Sequence, residues 1–472
     1  MHTNPFTSSS LSEWLTYQER LHPRAIDLGL ERVAMVLNGL GWSDPPPFPV
    51  ITVAGTNGKG SCVATLEAIF QTAGYLSATY TSPHLLRYNE RVRVDGREVS
   101  DEELCTAFTR IEAARTETSL TYFEYGTLAA LDLFRKAQPD VVILEVGLGG
   151  RLDATNVLDA DVAIVTTVDL DHMDWLGLDR ESIGREKAGI FRSARPAVCG
   201  DPNPPASLVE HAHSLGTPLY IQERDFGWQV SAGEEERREI AEKDRDARVG
   251  RWNWWACPVD QQRAQQPHTS KIFSRYALPP PRMMGRYQYQ NAATALMALE
   301  CLSHRLPVAT TAISRALEGV AIPGRFQVLA GPVLHILDVA HNPQAATALA
   351  ATLRTMPWER EEKGHGRTIA VVAMLADKDI TATLGAMINV VDAWYLASLL
   401  VPRGAPASRL AEVLADLGAT APITIYADVT TALTAARTQT VAGDRIVVFG
   451  SFYTVSSVLG EEIPQQRDNP IG

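Results

Sequence analysis

The chain has 472 residues, 45% of them hydrophobic, which is more than one core usually serves, so two domains of a globular enzyme are expected. A formal charge of -12 gives no overall attraction to a phosphate backbone and argues against nucleic acid as a partner; no apolar run approaches the ~20 residues needed to cross a bilayer. Five scattered cysteines without a C-x-x-C pair point to reduced packing thiols, and Met1 to Ser10 lack the basic and apolar regions of a signal peptide, so a cytoplasmic protein with no membrane partner is expected.

The first strong element is an apolar β-branched run, Val50–Ala54, followed by Gly55-Thr56-Asn57-Gly58-Lys59-Gly60-Ser61 and a helix-like segment from Cys62 to Phe70. Glycines let backbone N–H groups turn inward around phosphate oxygens, the lysine adds a mobile positive charge, and the helix N-terminus adds a partial one. The Ser61 hydroxyl would then face a phosphate or its magnesium ion. The spacing departs from the general pattern G-x-x-x-x-G-K-[ST], because Gly60 separates Lys59 from Ser61. A plain strand-to-helix turn would also use glycines at positive φ. It would have no use for the lysine.

Further along, Val141–Leu144 and Val162–Val168 read as strands buried on both faces, as in a parallel sheet covered by helices. Functional groups cluster where such strands end. Glu145 ends the first of them and precedes Gly147, Gly149 and Gly150; a hard oxygen donor beside a phosphate loop suits Mg²⁺. Asp169-Leu170-Asp171-His172-Met173-Asp174 follows the second, where the acidic residues around His172 fit either a second metal site or a hydrogen-bonded structural histidine. Lys187 reads on its own as an exposed helical lysine.

Between about Gln222 and Ser270 the texture changes to a charged run, Glu234 to Arg248, followed by Trp252, Trp254 and Trp255. Interleaved acidic and basic residues favour a solvated helix or hairpin over a nucleic-acid platform, so the segment is expected to be an inserted surface excursion. Asn291 to Leu302 reads as a helix. After Ile322-Pro323-Gly324-Arg325 a smaller alternating region begins, with strand candidates Leu334–Val339, Thr368–Met374, Ala393–Ala397 and Arg445–Phe449. The expected domains are therefore 1–321, carrying the insertion, and 322–472. Asp338 to Pro343 and Gly450 to Tyr453 end two of these strands and suggest a ligand-facing edge.

Taken in order, these segments together with Ile26 to Val33, Thr81-Ser82-Pro83-His84-Leu85, Asn89 to Val92 and Leu120 to Tyr125 resemble the folylpolyglutamate synthases, most closely the bacterial bifunctional dihydrofolate synthase/folylpolyglutamate synthase family of the Mur ligase superfamily. The resemblance spans nearly the whole chain. It implies an α/β protein with a Mur-ligase-type ATPase domain and a smaller Rossmann-like domain, acting as an ATP-dependent ligase. The enzyme would join a carboxylate to the amino group of L-glutamate through an acyl phosphate, releasing ADP and phosphate. The carboxylate belongs to dihydropteroate in one activity and to the γ-carboxyl of a folate tail in the other.

The site residues follow from the same resemblance. Gly55 to Ser61, Asn291, Arg325 and Asp338 contact ATP. Ser82 and Glu145 hold one magnesium ion, and Glu145, His172 and a carbamylated Lys187 hold or support a second; Lys59, Glu145, His172 and Lys187 are the catalytic group. A monovalent cation such as K⁺ is a further expectation. Asp27, Leu28, Gly29, Thr121, Tyr122, Phe123, Glu124, Leu152, Asp153 and Ala154 match the pterin-bearing substrate's site, and Arg91, His341 and Ser451 the incoming glutamate's. Domain closure would exclude water from the acyl phosphate, and a monomer is implied. The 222–270 excursion is longer than the family pattern, and the match around Arg286 to Asn291 is looser. Alternatives are a folylpolyglutamate synthase without the dihydropteroate reaction, a non-catalytic ATP-binding regulator, and a Mur ligase acting on a peptidoglycan precursor, which the pterin-site segments disfavour.

Overall fold

Two β-branched runs, β1 (Val50–Ala54) and, later in the chain, Val141–Glu145, lie side by side in parallel at the centre of an eight-stranded sheet, and every residue of both is buried. Their alternation explains why. Ile51, Val53, Val141 and Ile143 pack on one face with the helices Lys59–Thr72, Arg286–Cys301 and Thr310–Gly319, whereas Val50, Val142 and Leu144 pack on the other with the helices Leu11–Leu21, Asp101–Arg115 and Tyr122–Ala137. Strands covered on both faces have no polar side to show, so they read as continuous apolar runs.

The computed structural model describes residues 10–42, 45–230, 251–257, 272–356 and 366–466. Naming the strands in chain order, the sheet adds β2 (Ser77–Tyr80), β3 (Val92–Val94), β4 (Arg97–Glu98), β5 (Val141–Glu145), β6 (Val162–Val165), β7 (Ala197–Cys199) and β8 (Leu219–Ile221), ordered β4-β3-β2-β5-β1-β6-β7-β8. All neighbours are parallel except the hairpin edge β2-β3-β4. The chain divides into two compact units, the first made of the residues up to His84, Tyr88–Arg282 and Gln288–Val320, the second of Leu85–Arg87, Met283–Tyr287 and the chain from Ala321 onward.

The tryptophan segment corrects an expectation. β9 (Phe226–Val230), β10 (Trp252–Ala256) and β11 (Ile272–Leu278) form an antiparallel three-stranded sheet in the first unit. Trp252 and Trp254 are fully buried in its core, their indole N–H groups donating to the carbonyls of Pro279 (2.7 Å) and Ala293 (3.1 Å). This part of the insertion is therefore core rather than surface, because satisfied indoles bury a large apolar area at little polar cost. The charged run Glu234 to Arg248 lies outside the described residues.

In the second unit, β12 (Gln327–Leu329), β13 (Leu334–Leu337), β14 (Thr368–Val372), β15 (Ala393–Ala397), β16 (Ile423–Tyr426) and β17 (Arg445–Phe449) are ordered β12-β13-β17-β14-β15-β16, parallel apart from β12. Two apolar clusters, one centred on Trp394 and Phe449 and one on Ile369 and Val448, cover the two faces. Among the described residues no helix is long and apolar enough to cross a membrane.

Candidate functional site

The turn after β1 is held open by its glycines. Gly58, the N-cap of the helix Lys59–Thr72, has φ +87° and Gly55 has φ +146°, conformations that side-chain-bearing residues rarely adopt. A Cβ at position 58 would stand 2.5 Å from Asn291 Oδ1, so the absence of a side chain also lets Asn291 approach the turn. Lys59 folds back over its own loop, Nζ donating to the Gly55 carbonyl at 3.0 Å. The first-turn N–H groups of a helix have no intrahelical acceptor, and here they sit beside this glycine-bracketed cradle.

Three threonines stitch the loop to the end of the neighbouring strand. Thr166 Oγ1 donates to the Asn57 carbonyl at 2.6 Å, the Thr56 N–H donates to the Thr167 carbonyl at 2.7 Å, and the Asp169 N–H donates to Thr56 Oγ1 at 3.0 Å. That is why β6 stops at Val165 instead of running to Val168 as expected: beyond it the backbone and hydroxyls serve the loop. The helix likewise starts at Lys59, three residues earlier than its apolar pattern suggests.

Glu145 ends β5, is 4% exposed, and accepts the Ser82 N–H at 3.3 Å. Lys187, on the helix Arg180–Ala188, is equally buried rather than surface-exposed. Burial, reinforced by the Lys59 charge and opposed by Asp171, brings its amine down to about 7. Lys59, Asp171 and Lys187 are thus electrostatic neighbours. His172 adopts a left-handed backbone (φ +53°) at the start of a short helix; its side chain is 40% exposed and its Nε2 lies 3.9 Å from Asp171 Oδ2. Among the described residues no three His, Cys, Asp or Glu side chains converge as a ready ligand set for a metal.

The segments matched to the pterin site come together in this unit. The Gly29 N–H donates to the Leu152 carbonyl at 3.2 Å. Thr121 caps the helix Tyr122–Ala137 in a reciprocal capping box with Glu124. Arg32, which the sequence reading passed over, clamps two of these segments: its guanidinium donates to Asp27 Oδ2 at 2.9 Å and to Glu124 Oε1 at 2.8 Å. The buried Asp153 accepts the N–H groups of Gly147, Leu148 and Thr155; burial raises its pKa against the pull of these bonds. Phe123 packs on Gly147, where a Cβ would meet its ring at 2.6 Å, while Ala154 is buried beside Asp153 and Leu28 is partly buried next to Gly29.

Arg91 is 8% exposed. Its Nε–H donates to His84 Nδ1 at 2.8 Å, and its guanidinium carbon lies 5.3 Å from the Tyr88 ring centre and 5.5 Å from that of Tyr122. Burial first, then the Arg91 charge, lower the His84 imidazole to about 4.

In the second unit, Asp338 follows β13 and accepts the N–H groups of Phe326 and Ala340, both at 2.8 Å; burial raises its pKa, with Arg325 opposing. Arg325 lies over the Phe452 ring at 5.2 Å, and the His341 ring stands 6.2 Å from the same phenyl. Ser451, after β17, is 3% exposed, its Oγ accepting the Thr454 N–H at 3.0 Å. Asp338, His341 and Ser451 thus share the C-terminal edge of adjacent parallel strands β13 and β17, where open α/β sheets bind ligands.

The chain matches the family models for the Mur ligase middle domain over residues 53–203 and for the Mur ligase glutamate ligase domain over residues 324–452. It is 46% identical over 455 residues to a dihydrofolate synthase/folylpolyglutamate synthase of Escherichia coli (strain K12), covering 96% of each chain. A protein of the same name from Haemophilus influenzae is 38% identical over 469 residues, covering 95% of this chain and 97% of that one. Among solved structures, E. coli FolC in complex with DHPP and ADP superposes with a TM-score of 0.84 at 44% identity, covering 98% of this chain and 100% of that chain. A bifunctional folylpolyglutamate synthase/dihydrofolate synthase with Mn, AMPPNP and L-glutamate bound gives 0.82 at 44% identity over the same shares. With both halves of the Mur architecture matched and such relatives aligned almost end to end, the chain belongs to the dihydrofolate synthase/folylpolyglutamate synthase family of Mur-type ligases.

Proposed function

We propose that this protein adds L-glutamate to dihydropteroate, forming dihydrofolate, and to the γ-carboxyl of folate glutamate tails, each time at the expense of ATP. The observation that carries the reading is the turn Gly55 to Ser61, with Lys59 over it and with Glu145 and Lys187 buried in the same unit. A carboxylate is a poor electrophile. It therefore attacks the γ-phosphorus of ATP to give an acyl phosphate, which the glutamate amine opens through a tetrahedral intermediate.

Both steps crowd negative charge, and the residues of this chain are suited to meet it. Backbone N–H groups from Gly58 to Ser61 bind the phosphates, Lys59 swings from its own loop carbonyls to a phosphate oxygen, and Asn291, beside Gly58, contacts the nucleotide. Ser82 and Glu145 would hold one magnesium ion and Glu145, His172 and Lys187 a second, which when bound would neutralise phosphate charge. The donor chemistry fits only if Lys187 is carbamylated, since an ammonium cannot ligate a metal. The buried amine at about 7 supports that step: the neutral amine is the species that adds carbon dioxide.

We assign Arg325 and Asp338 to the nucleotide, the Asp27, Thr121 and Leu152 segments to the pterin, and Arg91, His341 and Ser451 to glutamate. A K⁺ site, a monomeric state, a cytoplasmic location and the absence of nucleic-acid and membrane partners belong to the same reading. The test is phosphate release by the purified protein with ATP, L-glutamate and either dihydropteroate or tetrahydrofolate. Release with both supports the bifunctional reading; release with tetrahydrofolate alone reduces it to a folylpolyglutamate synthase, and release with neither removes it.

A further inference from the structure

Arg91 is a buried cation with no carboxylate partner among the described residues. Taking a guanidinium out of water without a counter-charge is costly, so something must offset the loss without cancelling the charge. Four side chains do so, the first of them Tyr80, whose hydroxyl interacts electrostatically with the guanidinium. The Tyr88 and Tyr122 rings, at 5.3 and 5.5 Å, present their negative faces to the guanidinium, and His84 Nδ1 accepts from Nε–H at 2.8 Å. Because Nδ1 accepts, the ring carries its proton on Nε2 and is neutral.

A carboxylate in place of any of these would have to be displaced before an anionic substrate could bind. Neutral partners leave the charge available to a carboxylate, and His84 engages the guanidinium through Nε–H alone. Tyr122 also opens the helix capped by Thr121, so one wall of this holder belongs to a segment assigned to the pterin-bearing substrate.

We infer that Tyr80, His84, Tyr88 and Tyr122 hold Arg91 as a pre-aimed, uncompensated receptor for the carboxylate of the incoming amino acid, with His84 as the positioning residue. The inference rests on the assignment of Arg91 to glutamate, and the experiment separates the two. Initial rates are measured with glutamate, ATP and tetrahydrofolate each varied in turn. His84→Leu, which removes the acceptor, raises KM for glutamate by about tenfold or more while KM for ATP and tetrahydrofolate stay within about twofold. His84→Asn, whose side-chain oxygen stands where Nδ1 stood, stays within about threefold of the parent for glutamate. An unchanged glutamate KM in His84→Leu, equal impairment of both variants, or parallel shifts for all three substrates would each overturn the positioning role. If His84→Leu fails to fold, His84→Gln replaces it: its amide reaches past Nε, so it is impaired where His84→Asn is not, and equal behaviour contradicts the inference. Arg91→Ala tests the underlying reading. A normal glutamate KM in that variant removes it, and a raised tetrahydrofolate KM instead reassigns Arg91 to the carboxylate of the folate tail.

Discussion

Asn291 Oδ1 occupies the space into which a side chain on Gly58 would grow, 2.5 Å from an ideal Cβ. Gly58 is therefore constrained twice, by its φ of +87° and by this neighbour. Gly58→Ala should cost about 1–2 kcal/mol of stability from the left-handed backbone and lower ATP affinity by about tenfold or more. Adding Asn291→Ala relieves the collision but also removes a residue matched to ATP contact, so the double variant should bind ATP no better than Gly58→Ala does. If calorimetry shows the double variant binding ATP like the parent, the backbone conformation contributes nothing and the cradle argument fails.

Lys59 supplies the mobile charge over the phosphates, and its Nζ donates to the Gly55 and Thr56 carbonyls of its own loop at 3.0 and 3.5 Å. Removing it should lower kcat/KM by roughly a thousandfold or more, because it meets charge that develops during reaction. The melting temperature should barely move. Near-normal turnover of Lys59→Ala would remove the phosphate-binding assignment.

For Lys187 the pH dependence can be given a sign. The folded amine titrates at about 7 and an ordinary lysine at 10.5, so between those limits the unfolded chain binds more protons and stability rises with pH. Below about 7 the penalty is fully present. In substrate-free buffer stripped of carbon dioxide, Lys187→Met should therefore melt higher than the parent near neutrality, with the gap closing towards pH 10.5, while its turnover falls by about a hundredfold or more. A lower melting temperature at pH 7 would contradict the buried-ammonium account. Bicarbonate should raise parent activity, and no response to it would argue against the carbamate.

How much of this was legible in the sequence follows from where each signal resides. The phosphate turn was readable because strand, glycines, lysine and helix are contiguous, and Glu145 because it directly follows a doubly buried strand. Lys187 was not: burial comes from packing the helix Arg180–Ala188 into the fold, which one residue in a polar helix does not announce. The Arg91 holder joins His84 and Tyr88 to Tyr122, a meeting that only the fold arranges. The tryptophans were misread because β10 is paired on both edges and its indoles face the helix Arg286–Cys301, while the neighbouring charged run suggested solvent.

That correction can be checked on its own. Trp254→Ala should destabilise the protein by about 3–5 kcal/mol by opening a cavity and leaving the Ala293 carbonyl without its indole donor. A loss under about 1 kcal/mol in urea unfolding would return the segment to the surface.

The most direct test of the whole account follows the oxygen atoms of the substrate carboxylate. With dihydropteroate labelled with ¹⁸O in its carboxyl group, attack on the γ-phosphorus and later expulsion of phosphate must carry one labelled oxygen into the inorganic phosphate, which mass spectrometry reads at once. One ¹⁸O per phosphate released is the predicted result. Unlabelled phosphate accompanying amide formation would mean that the carboxylate never reached the nucleotide, and the acyl-phosphate ligase would be contradicted.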